Sequence, residues 1–237
     1  MNLLSFDLAA RRVDTAPGTS LGAIAGSLAA DLVPWLNEPL PVPTTKARLT
    51  RSGGRCPQHG VLLDFDPHSP FAHVCPVCRV TFSDREHHEW WAMNAHLFTA
   101  ERVVHAAALF ALHGDDRHRA LAVRTLDALA QQYARWPNRD NALGPTRPFF
   151  STYLESIWLL NLCHAVSLLE LSGETRVGQQ VRERILEPSS ALIASFHEGR
   201  SNRQVWNEVA ILSAYTLLGR RAAVDARLDA PGSLLTL

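Results

Sequence analysis

Net charge is the first thing this 237-residue chain lacks: 23 Lys and Arg balance 23 Asp and Glu. A neutral chain has no bulk field drawing it to nucleic acid or to an anionic membrane, so neither is expected as a partner, although charge segregated into a cleft could still hold an anion locally. No apolar run reaches the ~18 residues of a membrane span. The start of the chain lacks an apolar stretch followed by small residues; Arg11 and Arg12 come too soon. No secretory signal is therefore legible, and the cytoplasm is the default compartment. Cysteine is scarce. Cys56, Cys75 and Cys78 cluster and Cys163 stands alone, which makes a poor disulfide framework and better suits a metal site plus one core thiol. No clean short-period repeat marks a tetratricopeptide-type array.

Apolar residues are plentiful at 46%, enough for one large domain or one and a half smaller ones. Three regions differ in character. Residues 1–48 form an arm: irregular to residue 18, a helix from Thr19 or Ser20 to about Leu36, then a break at Pro39, Pro41 and Pro43. Residues 49–85 hold glycines, prolines and short apolar stretches, and read as two small hairpins or knuckles. Residues 86–237 read helical almost throughout. The expected spans are Asp84–Leu112 closed by Gly114, Arg117–Arg135, Phe150–Leu171, Glu174–Phe196 interrupted at Pro188, Arg203–Leu218 closed by Gly219, and a last stretch from Arg220. The third of these is apolar nearly all round, so it should be covered on all sides. Short turns between consecutive helices predict antiparallel neighbours. The fold class expected is all-α, with covered and half-exposed helix pairs suited to a two-layer ring or solenoid.

The knuckle segment carries the most specific chemistry. Cys56-Pro-Gln-His59 and Cys75-Pro-Val-Cys78 are two short ligand pairs, each on a tight turn, 15 residues apart. Four such ligands predict tetrahedral Zn(II) in a structural role, since a full ligand set leaves no open coordination position. The segment has too few apolar residues to fold alone, and a metal would supply the missing stability. His68 and His73 lie inside the loop and could replace His59. A redox Cys75/Cys78 pair is the alternative, but no parallel sheet surrounds it.

A second stretch is His197-Glu198-Gly199-Arg200-Ser201-Asn202-Arg203-Gln204-Val205-Trp206. Ser201 and Gln204 form a capping box, placing Asn202 and Arg203 in a first helical turn, where free N–H groups and the helix dipole favour a carboxylate. His197 is a candidate proton acceptor. The competing reading pairs Arg203 with Glu208 or Glu198 and buries Trp206 in the core. Two aromatic segments could line a glycan cleft, with Trp91 and His96 in one and Tyr153, Glu155 and Trp158 in the other. Core packing is the plainer role for the tryptophans.

In order along the chain, Cys56-Pro-Gln-His59-Gly60 with Cys75-Pro-Val-Cys78, Trp91 to Leu97, Phe149 to Leu169 and Ser201 to Trp206 resemble the N-terminal part of heparinase II/III-like polysaccharide lyases, in the alginate-lyase-like superfamily. The resemblance covers about residues 50 to 220. It implies an incomplete (α/α) toroid followed by β-sandwich domains, and β-elimination on uronic-acid glycans, with an acidic polysaccharide as partner. By position, Asn202 would neutralise the uronate carboxylate. Arg203 stands where such lyases carry His, and a guanidinium cannot serve as a base. Tyr153 is the third candidate catalytic residue, and the family's own tyrosine would fall beyond Leu237. Trp91, His96, Glu155, Trp158, His197 and Trp206 would bind substrate. The expectation is a fragment lacking its C-terminal β-sandwich, inactive as it stands.

Overall fold

A computed structural model describes residues 7–230. The expected helical start after Arg220 lies within that range, while Pro231-Gly232 and the tail lie outside it. Helix dominates, as the periodicity predicts. The arm is more ordered than its sequence suggests, with α1 at Leu8–Asp14 where irregular chain was expected. Arg12 ties it to the end of α3 by donating to the Ala111 carbonyl at 3.0 Å. The second helix, α2 (Ser20–Leu32), begins where Thr19 accepts a hydrogen bond from the Gly22 N–H. It stops four residues early because Pro34 forces a tighter turn over Val33–Trp35.

The proline-rich stretch that follows lies against the helices. Pro43 accepts from the Trp136 indole at 2.9 Å, and Ala47 donates its N–H to the Pro148 carbonyl at 3.0 Å. The knuckle segment then forms β1 (His73–Val74) and β2 (Thr81–Phe82), paired antiparallel, and an isolated bridge between Arg55 and Leu62.

Helix α3 (Arg85–His113) is capped by Asp84, which accepts from the Glu86 and His87 N–H groups. Gly114 ends it at φ 71°, a conformation that costs glycine little. The chain reverses at once into α4 (Asp116–Gln132). A long loop leads to α5 (Thr152–Leu171). Then α6 (Arg176–Val181), a π-helical turn over Arg182–Leu186 and α7 (Glu187–Ala194) run on without a break. The sequence predicts an interruption at Pro188. The structure instead absorbs the missing N–H in the wider turn just before it. The last pair is α8 (Asn202–Leu217) and α9 (Arg221–Asp229).

Helix α5 lies between α3 and α8, making one row. Behind it, α4 packs on α3 and α6, α7 packs on α5 and α8, and α9 packs on α8. That sandwich explains the apolar character of α5. By length and composition this helix could cross a membrane, which corrects the reading that no stretch of the chain could. Most of it is buried against its neighbours, as a core helix should be. The largest fully buried side chains include Trp136, Trp158, Tyr133 and Phe149. Trp158 stacks on Tyr133 with centroids 5.9 Å apart and meets the edge of Trp136 at 6.3 Å.

Candidate metal centre and helix-end region

The two ligand pairs fold into the same local structure. Cys56 N–H donates to the Val61 carbonyl and Gly60 N–H to the Cys56 carbonyl, at 2.9 and 2.8 Å. Cys75 to Val80 and Arg79 to Cys75 repeat both bonds, at 3.0 Å each. The flanking pairings, Arg55 with Leu62 and Val74 with Thr81, also correspond. Each turn needs one left-handed residue after its second ligand. Gly60 supplies it in one (φ 64°) and Arg79 in the other (φ 60°). Gly54 (φ 77°) lets the first knuckle seat on α3, since a Cβ there would lie 2.3 Å from Trp90.

These turns bring the Sγ atoms of Cys56, Cys75 and Cys78 and a ring nitrogen of His59 within 4.8 Å of one another. Cys56 and Cys78 sulfurs stand 3.9 Å apart, and Cys56 lies 3.4 Å from His59 Nδ1. Zn–S bonds of about 2.3 Å at tetrahedral angles would set two sulfurs about 3.8 Å apart. The four residues therefore fit a metal ion, and they are the four expected. His73 is buried in β1, and His68 stacks on Trp35 at 4.2 Å, so neither replaces His59. Burial pushes the Cys75 thiol up, but N–H groups of Cys78 and Val77 and the thiols of Cys78 and Cys56 outweigh it, bringing it to about 7. A thiol so poised gives up its proton to a metal readily. Leu63, Val61, Phe82 and Trp90 pack around the cysteines.

The second candidate region lies where α5 and α8 begin side by side. Ser156 Oγ donates to Asn207 Oδ1 at 2.6 Å across that seam. Tyr153 and Arg203 each lie one turn nearer the helix starts. Asn202 is exposed and Tyr153 half-buried. Ser201 caps α8 through the Gln204 N–H at 3.2 Å. The reciprocal half of the capping box does not form: Gln204 Oε1 takes the Glu198 N–H instead, at 2.8 Å. Arg203 pairs through Nε with Glu198 at 3.1 Å, leaving Glu208 to Arg227. That carboxylate is 4% exposed and Arg203 is 42% exposed, so the guanidinium neutralises a nearly buried charge. Trp206 is 39% exposed rather than core. His197 is also exposed, and its Nδ1 accepts from the Gly199 N–H at 3.0 Å. In that tautomer Nε2 carries the proton, so the ring donates to a ligand through Nε2.

Four residues expected to touch substrate lie in the interior, which corrects those assignments. Trp91 is nearly fully buried and donates its indole N–H to the Asp66 carbonyl at 2.8 Å. His96 is wedged against Trp136 and Phe149 at 4.7 and 5.2 Å, and burial drives its imidazole down to about 3. Trp158 is fully buried in the aromatic core. Glu155 accepts from Tyr133 Oη and Ser189 Oγ, each at 2.6 Å, and from the Arg147 N–H at 2.9 Å. Burial and then the Glu155 charge push the Tyr133 hydroxyl well above its usual range.

Sequence reasoning also passed over Lys46. Its ammonium is buried and donates to the carbonyls of Pro137, Arg139 and Thr146 at 2.8–3.1 Å, and to the Asn141 side chain. Burial lowers it to about 8, against the opposing pull of Glu155 and Asp140. It organises the loop between α4 and α5 from nearly one hundred residues away in sequence, a separation no local pattern reports. No family model matches this chain. No curated protein matches it either.

Proposed function

We propose that this chain is the helical, glycan-binding part of a uronate-polysaccharide lyase, with Zn(II) as a structural ion. One observation carries the reading. Helices α5 and α8 are joined one turn in from their starts by the Ser156–Asn207 hydrogen bond, so the positions of Tyr153 and the pair Asn202–Arg203 come to one end of one seam. There Asn202, the α8 dipole and the protonated nitrogen of His197 would meet a sugar carboxylate. The two rows of helices are, in this proposal, an arc of an incomplete (α/α) toroid.

Zinc is favoured by the donor set of three thiolates and one imidazole. Cys56, His59, Cys75 and Cys78 would fill its coordination shell, so it would supply stability rather than a reacting water. One equivalent of zinc by elemental analysis, and thiolate-to-cobalt charge-transfer bands after cobalt substitution, are the expected results. Metal-free protein with ordered knuckles would overturn this part.

The activity test is incubation with alginate, heparan sulfate and polygalacturonate, following absorbance of the C4–C5 double bond that β-elimination creates. A specific observation favours a second reading, a glycan-binding protein without turnover: Arg203 is already paired with Glu198 and offers no base. Binding without cleavage, lost in Arg203→Ala, would select that reading. Absence of both binding and cleavage on every acidic glycan would overturn both.

A further inference from the structure

We propose that the cleft between the knuckle segment and the α3–α5 pair binds an uncharged pyranose ring of a glycan. This rests on the glycan reading above but concerns a different place. The cleft has a volume of about 470 Å³, within the range of small-molecule sites. Phe65, Asn94, Phe98, Glu101, Ile157 and Asn161 line it.

The chemistry of those walls selects the ligand. Phe98 and Ile157 offer an apolar surface for the C–H face of a sugar ring. Asn161 is half-buried on α5, and its amide has no partner among the described residues. It is thus a free donor and acceptor at the mouth of a cleft, the pair of functions that a vicinal diol satisfies. Asn94 donates to the Trp90 carbonyl at 2.9 Å, which leaves its own carbonyl oxygen as an acceptor.

Charge excludes the alternatives. Glu101 is balanced by Arg102 at 3.5 Å, and His105 stands 4.0 Å away. The Arg102 guanidinium sits 4.8 Å over the Phe98 ring. A uronate would meet a carboxylate and, among the described residues that line the cleft, no free cation. A cationic ligand would meet a carboxylate already paired. Hydroxyls on a neutral ring lose nothing to either.

The knuckle segment fixes the remaining wall. Asp64 N–H bonds to the Val74 carbonyl at 2.9 Å, one residue before Cys75, and the Asp66 carbonyl is held by Trp91. Phe65, between them, meets Trp90 and Phe98 edge-on at 6.2 and 5.9 Å. A glycan filling both regions would alternate, with a uronate at the α8 start and a neutral residue in this cleft.

The test is an NMR titration of isotope-labelled, metal-loaded protein with cellobiose, with N,N′-diacetylchitobiose and with digalacturonate. The Asn161 side-chain amide and the Ile157 methyl groups report. Saturable shifts with a neutral disaccharide, and weaker ones with digalacturonate, are expected. Asn161→Leu should weaken binding about tenfold, the loss of a well-made hydrogen-bond pair. Glu101→Gln, which removes the carboxylate that repels a uronate and frees Arg102, should narrow the preference for neutral sugars. No saturable shift with either neutral sugar, unchanged binding in Asn161→Leu, or tighter binding of digalacturonate would each overturn the proposal. Cleavage of acidic glycans without neutral-sugar binding would remove this site and leave the lyase reading intact. Neutral-sugar binding without turnover would do the reverse.

Discussion

Glu155 shows what a carboxylate does once it is inside. It accepts three hydrogen bonds, from Tyr133, Ser189 and the Arg147 backbone, and so joins three separate parts of the chain. Glu155→Leu would strand two hydroxyl groups and an N–H without partners. It should cost about 3–5 kcal/mol of stability in urea unfolding; a loss under 1 kcal/mol would show that water reaches the site. His96 gives the pH counterpart. Burial lowers it from 6.5 to about 3, so between those values the unfolded chain holds a proton that the folded chain refuses. Its contribution is complete above pH 6.5 and is lost as pH falls towards 3, at about 1.4 kcal/mol per pH unit. The difference in stability between the native chain and His96→Leu should therefore shrink as pH drops from 7 to 5. A constant difference would sink the assignment.

At the scale of elements, the two knuckles obey one template but differ at its left-handed position. Gly60 takes positive φ freely; Arg79 takes it under strain, and its 3.8 Å approach to Asp64 is exposed and worth little. Arg79→Gly should stabilise the metal-loaded protein by about 0.5–1 kcal/mol, net of the entropy that glycine adds to the unfolded chain. Destabilisation would mean that Arg79 makes contacts outweighing its backbone cost. The continuous path from α6 through α7 makes a related point. Pro188 is legible as a helix problem, but whether a helix breaks, kinks or widens by one residue depends on what packs against it. Here α7 is held against α5 and α8, and the wider turn keeps both contacts.

For the whole molecule, the helical rows have their own core, while the knuckle segment has only a small one around Cys56, Leu63 and Cys75. If Cys56, His59, Cys75 and Cys78 hold a metal, chelating it should therefore loosen residues 49–82 and leave the helices standing. Far-UV circular dichroism should change little, and Cys56, Cys75 and Cys78 should become reactive to a thiol reagent. Cys163 should stay protected, because it is fully buried in α5 and burial raises its thiol. Collapse of the helical signal on chelation would show instead that the knuckles hold the domain together.

The local part of this protein could be read directly. Cap and stop residues such as Asp84, Gly114, Ser201 and Gly219 marked helix ends to within a few positions, because capping acts over three or four residues. The four residues that could hold a metal were legible for the same reason: each pair lies on one turn, and only four side chains had to converge. Depth was not legible. His96 and Glu155 look like site residues in the sequence and are core residues in the fold. Lys46 looks like nothing and holds a loop from nearly one hundred residues away. Whether a polar side chain faces a ligand or a carbonyl depends on which helices lie beside it. That is a matter of long-range packing, which local periodicity does not encode.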